Sequence, residues 1–186
     1  MQIIVFVCLL LSLLSGCVSQ SNIDENSVRV SQQGHLRLTT PAAELFGKTF
    51  MSHLQVEYGE STHELIMQLE LNAQESALVA ISPAGLPLFQ QSLSADGKVI
   101  GQNFVPINDL KPQYIFADIQ LVHWPLESLQ KALTGLSVVE LNQGQGKLRR
   151  FSNNQQSVIE IHYLGEQIIF KHLQRHYQIT IKAMTE

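Results

Sequence analysis

From about His35 to the C-terminus a two-residue hydrophobic period dominates the chain, and that pattern constrains the fold more than any other feature. Leu36 and Leu38 share one face of a first strand. Phe50, Leu54, Val56 and Tyr58 alternate with Met51, His53, Gln55 and Glu57. After a Gly59-Glu60-Ser61 turn, Leu65, Met67, Leu69 and Leu71 alternate with Glu64, Gln68 and Glu70. A shorter apolar run, Leu78–Ile81, is closed by Ser82-Pro83-Ala84-Gly85. Leu88–Leu93 then leads into Asp96-Gly97, a strong hairpin signal, and Val99–Ile107 follows. Short links between consecutive strands describe a meander rather than βαβ units.

The period changes once. Pro112–Trp124 suits a helix with Ile115, Ile119 and Val122 on one stripe and Asn108 or Asp109 available as a cap. Pro125 breaks the chain and starts a second helix with Leu126, Leu129 and Leu133 on one face, closed by Gly135. Five further strand patterns complete the chain. Val138–Leu141 and Leu148–Phe151 flank the Asn142–Gly146 loop, and Val158–Leu164, Ile168–Leu173 and Tyr177–Ala183 follow. A single sheet this long curls or closes. The expected fold is therefore mainly β with two short helices. It is a curved antiparallel sheet, or incomplete (half) β-barrel, of about 9–11 strands with a helical lid, able to enclose an apolar cavity.

The N-terminus has a different character. Ile3–Leu14 is apolar, and no Lys or Arg occurs before Arg29. As a helix this run reaches only about 18 Å, too short for a hydrocarbon core of roughly 30 Å but fitting a signal-peptide core. Leu14-Ser15-Gly16-Cys17 follows directly, then a polar stretch. This segment resembles the bacterial lipobox. The resemblance implies cleavage before Cys17 and acylation of Cys17, and more than one acyl chain anchors stably at about 0.8 kcal/mol per buried CH₂. Val18 follows, with no Asp after the cysteine, which in Gram-negative lipoproteins points to the outer membrane. The expected layout is a signal peptide over 1–16, an acylated N-terminus and tether over 17–31, and one domain over 32–186, lipid-anchored on the periplasmic face.

Composition narrows the function. The net charge is −4 and the pI near 6.0, so the basic footprint of a nucleic-acid binder is missing. The two cysteines, Cys8 and Cys17, both lie in the leader region and leave no disulfide framework. Polar surface comes largely from amides, with 20 Gln. His172 and His176 are four apart but read as exposed histidines of a strand–turn–strand, which argues against a metal pair. His123 ends a helix, where it would complement the dipole. No Gly-x-Ser-x-Gly elbow is present. Gly144-Gln145-Gly146-Lys147 reads as a hairpin turn rather than a phosphate loop. Lys147, Arg149 and Arg150 form the one basic cluster, read as a solvated strand end or a contact for anionic lipid or an acidic partner. No cofactor, no metal and no catalytic residues are expected.

Two segments resemble a known family. Ala80-Ile81-Ser82-Pro83-Ala84-Gly85, with Leu88–Leu93 and the Asp96-Gly97 turn, resembles the strand–loop–strand of the outer-membrane lipoprotein receptor LolB. Trp124-Pro125-Leu126-Glu127-Ser128-Leu129, running on to Gly135, is similar to a helix of that family. Ala117-Asp118-Ile119-Gln120-Leu121 with Trp124-Pro125-Leu126 looks closer still to bacterial lipoproteins encoded beside fatty-acid-synthase-like genes in aryl polyene clusters. The resemblance implies a LolA/LolB-like half-barrel of about eleven strands capped by helices over a hydrophobic cavity. It also implies transfer of lipid or acylated protein cargo to the membrane, with a periplasmic LolA-like carrier as partner. A protruding apolar loop residue performs the insertion in that family. The matching position here is the small Ala84, and the bulky neighbours are Leu86, Leu88 and Phe89.

The site residues expected are Cys17 for lipidation, Leu65, Met67, Leu69, Ile115, Ile119, Leu126 and Leu129 for cavity lining, and Leu86, Leu88 and Phe89 for membrane contact. Leu86 is the exposed member, because Pro87 beside it cannot donate to a strand ladder. The function expected is a non-enzymatic, monomeric carrier of lipid or acylated cargo. The alternatives are a lipid-pathway hydrolase or thioesterase, and a structural envelope lipoprotein without transfer activity. Cys17→Ala should give a soluble or uncleaved product on membrane fractionation, and retention in the outer membrane after a salt wash would contradict the anchor.

Overall fold

The computed structural model describes residues 26–105 and 111–184. The leader over 1–16, Cys17 and the first part of the expected tether lie outside the described residues, as do Asn108 and Asp109. The described chain folds into thirteen strands, two α-helices and one 3-10 turn, Ala43–Leu45. The strands are β1 (Ser27–Arg29), β2 (His35–Arg37), β3 (Lys48–Tyr58), β4 (Ser61–Leu71), β5 (Glu75–Ile81), β6 (Pro87–Ser94) and β7 (Val99–Asn103). Then come helix α1 (Pro112–His123), helix α2 (Leu126–Ala132), and strands β8 (Leu133–Thr134), β9 (Ser137–Gln143), β10 (Gly146–Asn153), β11 (Gln156–Leu164), β12 (Gln167–His172) and β13 (Tyr177–Ala183).

Ten strands form one antiparallel sheet in the order β7-β6-β5-β4-β3-β13-β12-β11-β10-β9. The sheet is curved and does not close into a barrel, so β7 and β9 remain edges. This is the mainly β architecture with two helices that the period-2 pattern predicts. The C-terminal strand β13 pairs with β3, joining the two meanders at the centre through Ile179 opposite Val56 and Ile181 opposite Leu54. Such a long-range pairing leaves no mark in local sequence.

The period-2 code assigns the faces. On β4, Met67, Leu69 and Leu71 are buried, while Gln68 and Glu70 between them point to the opposite face. The inner face packs against the two helices in one core with Phe116, Ile119, Leu121, Trp124 and Leu129. Helix α1 starts at Pro112, whose fixed φ suits the first helical position, with Lys111 as its N-cap and no side-chain cap bond. The extended Trp124-Pro125 step separates α1 from α2.

A second, three-stranded sheet, β1-β2-β8, lies over the helices. It overturns part of the expected tether. Ser27–Arg29 is strand, and Val28 and Val30 are buried with Leu36 and Leu38. The polar run before it hid a short Val-x-Val alternation, which pairs with His35–Arg37 into a hairpin strap. Gly135 does not close α2 directly either. It follows β8 with φ +75°, and a Cβ there would stand 2.0 Å from the Gln33 carbonyl oxygen, so the strap's turn requires glycine opposite it.

Candidate functional site

The helical cover is held to the inner face by a small set of polar contacts. Arg149 on β10 is 4% exposed and reaches under the end of α1. Its Nη1 donates to the Leu121 and Val122 carbonyls at 2.7 and 3.2 Å, and its Nε and Nη2 donate to Glu140 Oε1 at 2.9 and 2.7 Å. The last carbonyls of a helix have no intrahelical donor and carry the negative end of the dipole, so a cation there satisfies both. Tyr163 Oη donates to Val122 at 2.7 Å, and Lys147 bonds Glu140 at 3.1 Å above the Tyr163 ring. Burial acts to raise the Glu140 carboxyl, but hydrogen bonds from Arg149 and Lys147 outweigh it and hold the group below the usual range.

Arg149 is therefore not part of a solvated strand end, whereas Lys147 and Arg150 keep partly exposed side chains. Arg149 and Lys147 are spent on Glu140 and the helix, and Arg150 pairs with Glu160 on the other face at 3.0 Å. His123 does not serve the dipole as a cation. Burial, then the nearby Arg149, lower it to about 4, so it is neutral, and its ring packs tilted against Phe50 with centroids 4.6 Å apart. Arg149 already occupies the cation position at that helix end.

A second group of contacts joins α1 and the strap to the β12–β13 turn. Tyr177 Oη donates to Asp118 Oδ2 at 2.6 Å, and the Arg175 guanidinium lies 4.6 Å over the Tyr114 ring. Arg175 also bonds the Arg29 carbonyl at 2.5 Å. His172, expected to be exposed, is buried at 1%. Its Nδ1 accepts from the Arg175 amide at 3.2 Å, so its Nε2 carries the hydrogen and donates to the Val30 carbonyl at 2.9 Å. Burial, then Arg175, lower it to about 4. Among the described residues no group of three or more His, Cys, Asp or Glu side chains is arranged to hold a metal ion. A third tie is the fully buried Gln120, whose amide pairs with both the N–H and the carbonyl of Thr39, while Trp124 Nε1 donates to Thr39 Oγ1 and the Thr40 carbonyl.

The seven residues expected to line a cavity fall together in this core. Met67, Leu69, Ile119 and Leu129 are buried, and Leu65, Ile115 and Leu126 are partly buried against them. Burial is graded along the sheet. The inner-face residues of β4 run from fully buried Leu71 and Leu69 through half-buried Leu65 to exposed His63, and β3 parallels this from buried Leu54 to exposed Tyr58. The inner face of β4 is thus covered at one end and open at the other. The Ser82–Leu86 loop lies towards that open end, because β4 starts there at Ser61 and β5 runs back towards it, ending at Ile81 opposite Ile66.

The loop is compact. Ser82 N–H donates to the Leu86 carbonyl, Gly85 N–H to the Ser82 carbonyl, and Leu86 N–H to Ser82 Oγ, with Gly85 at φ +82°. This leaves Leu86 64% exposed, Leu88 partly buried and Phe89 buried opposite Ala80. Leu86 is the exposed member of the three, as Pro87 predicts. At the opposite end a polar cavity of about 500 Å³ is lined by Asn26, Ser27, Asp96, Lys98, Val99 and Gln113, among others.

Sequence reading missed Arg149 as a helix clamp and Asp118–Tyr177 as a tie. The only trace of either was a charged or hydroxylated residue at an inward position of an apolar alternation. Among the described residues no helix is long and apolar enough to cross a membrane. A family model described as "Protein of unknown function (DUF3261)" matches residues 49–185, from β3 to the end of the chain, and leaves the strap outside. No curated protein matches the chain.

Burial raises Asp118 to about 7 against the opposing Tyr177 hydrogen bond and Arg175 charge. Between about pH 4 and 7 the folded state therefore holds a proton that the unfolded state has lost, and this contribution to stability falls as pH rises. His172 and His123 act oppositely between about pH 4 and 6.5, where the unfolded state binds the extra protons. Asp118→Asn removes the first effect alone. Its melting temperature should climb relative to the unaltered protein from pH 4 to 7 and then level off. A difference that does not change with pH would mean that Asp118 is ionised in both states.

Proposed function

We propose that this chain, which belongs to the DUF3261 family, is an outer-membrane-anchored periplasmic lipoprotein that carries acylated or lipid cargo. The observation that supports the reading is the graded inner face. Its apolar wall is only partly covered at Val56 and Leu65, on the side where the Ser82–Leu86 loop holds an exposed leucine. A carrier must shield acyl chains from water and release them to a bilayer. The first task needs an apolar wall with an opening, and the second needs an apolar contact beside that opening.

In this reading acyl chains enter past Tyr58 and Leu65, and Leu86 touches the membrane interface. The acylated Cys17 supplies the anchor. From Cys17 to Asn26 the chain can extend by up to about 30 Å. That is enough slack for the domain to turn its open end towards the bilayer. The handover partner in this reading is a periplasmic carrier of similar half-barrel form, and the protein works as a monomer without catalytic chemistry.

Leu86→Glu separates delivery from folding. The side chain is exposed and the loop's backbone bonds do not involve it, so stability should move by no more than about 0.5 kcal/mol. Binding of a fluorescent acyl ligand should survive, while its transfer into vesicles should slow several-fold. Normal transfer by the folded variant would remove the loop from the mechanism, and failure of the unaltered protein to bind any acyl ligand would remove the carrier reading itself.

A further inference from the structure

On the inner face of the β5–β6–β7 edge, two side chains have no hydrogen-bond partner among the described residues. Gln91 is 2% exposed with both Nε2 and Oε1 unpaired, and Ser76 is 1% exposed with Oγ unpaired. They share a wall. Gln91 stands opposite Leu78 on β5, and Ser76 stands two pairs further along, opposite Leu93. Diagonal positions of this kind lie within reach of one long side chain.

The position of Gln91 is built for an amide rather than left over from packing. Its partner on β7 is Gly101, where a Cβ would come within 2.7 Å of Gln91 Cγ. The absent side chain makes room for the Gln91 stem against the edge strand, and Gly101 itself is exposed. Phe89 and Leu93, two residues either side on the same face, are buried in the apolar core. An apolar residue at position 91 would continue their pattern at no electrostatic cost. An amide with both atoms orphaned in such a wall loses free energy in the ligand-free protein and regains it only when a ligand bonds it.

We propose that Gln91, with Ser76, is a head-group site for an acyl amide. The assignment rests on the acyl-carrier reading above and deepens it. The wall around the site is Leu69, Leu71, Leu78, Phe89 and Leu93, with no cationic side chain among them, so a carboxylate would find no countercharge there. The ligand's polar group is therefore neutral. Gln91 Nε2 donates to a carbonyl oxygen, Oε1 accepts from an N–H, and Ser76 Oγ is free to donate to the same polar group. An amide meets both needs of Gln91, an ester meets one, and a hydrocarbon meets neither.

The test compares three pyrene-labelled chains of equal length, ending as a hydrocarbon, a methyl ester and an N-methyl amide, in the full mature chain and in Gln91→Leu. The variant removes the orphaned atoms at nearly constant volume, so it should melt at an equal or higher temperature. Should it fail to fold, Gln91→Met carries the same comparison. The substitution should weaken the amide probe about tenfold, weaken the ester less, and leave the hydrocarbon unchanged or tighter. Equal effects on all three probes, or none, would overturn the head-group site while leaving the carrier reading standing. Binding of no probe by the unaltered protein would overturn both.

Discussion

Arg149 brings a full positive charge into a site that is almost dry, and the arrangement of the rest follows from how that charge is satisfied. An unpaired buried guanidinium would cost several kcal/mol. Here it is neutralised by Glu140 on the neighbouring strand, and its remaining donors face two carbonyls at the end of α1. The sheet and the helical cover thus complete each other's electrostatics. The helix needs a cation at its C-terminus, and the arginine needs acceptors that an apolar sheet cannot supply. Hydrophobic contact alone would let α1 slide across a smooth wall of Leu and Ile. The Arg149 fork, with Tyr163 on the same turn, fixes where the helix ends.

An open sheet of ten strands gains from such a clamp more than a closed barrel would. With the outer edges of β7 and β9 unpaired among the described residues, the ladder does not enclose the inner face, and its covering comes from α1, α2 and the β1–β2 strap. These are tied at separate points: Arg149 beneath the end of α1, Asp118–Tyr177 at its middle, Gln120–Thr39 to the strap, and His172 and Arg175 to the Arg29–Val30 backbone. The ties join the cover to β10, β13 and the β12–β13 turn. The ends of β3 and β4 near Tyr58 and His63 lie beyond the cover. The half-buried Leu65 and exposed Tyr58 mark where it stops, and Leu86 stands at that same end.

Much of this was legible in the chain. Alternation in Leu65, Met67, Leu69 and Leu71 gives both the strand and its buried face, Pro112 and Pro125 mark the helix starts, and Pro87 isolates Leu86. The remainder failed for physical reasons. Pairing of β13 with β3 depends on contacts more than a hundred residues apart. Arg149 looked like one of three surface cations because sequence shows charge but not the carbonyls that will face it. The strap was lost because Val28 and Val30 are only two apolar residues, and their burial comes from packing rather than from a pattern. His172 looked exposed because alternation assigns a face, not what covers that face. Gln91 and Ser76 did leave a signal, as polar residues at inward positions between Phe89 and Leu93 and ahead of Leu78 and Ala80, but only the structure shows that nothing among the described residues bonds them.

The central claim is that the cover over the inner face is clamped by Arg149 rather than held by apolar contact alone. Hydrogen exchange of Arg149→Met measures this directly, since the variant keeps a long apolar stem but loses every donor. The account predicts faster exchange of the α1 amides over residues 113–123, with the β3, β4 and β5 amides keeping their protection. Unchanged protection of α1 in a folded Arg149→Met protein would contradict it.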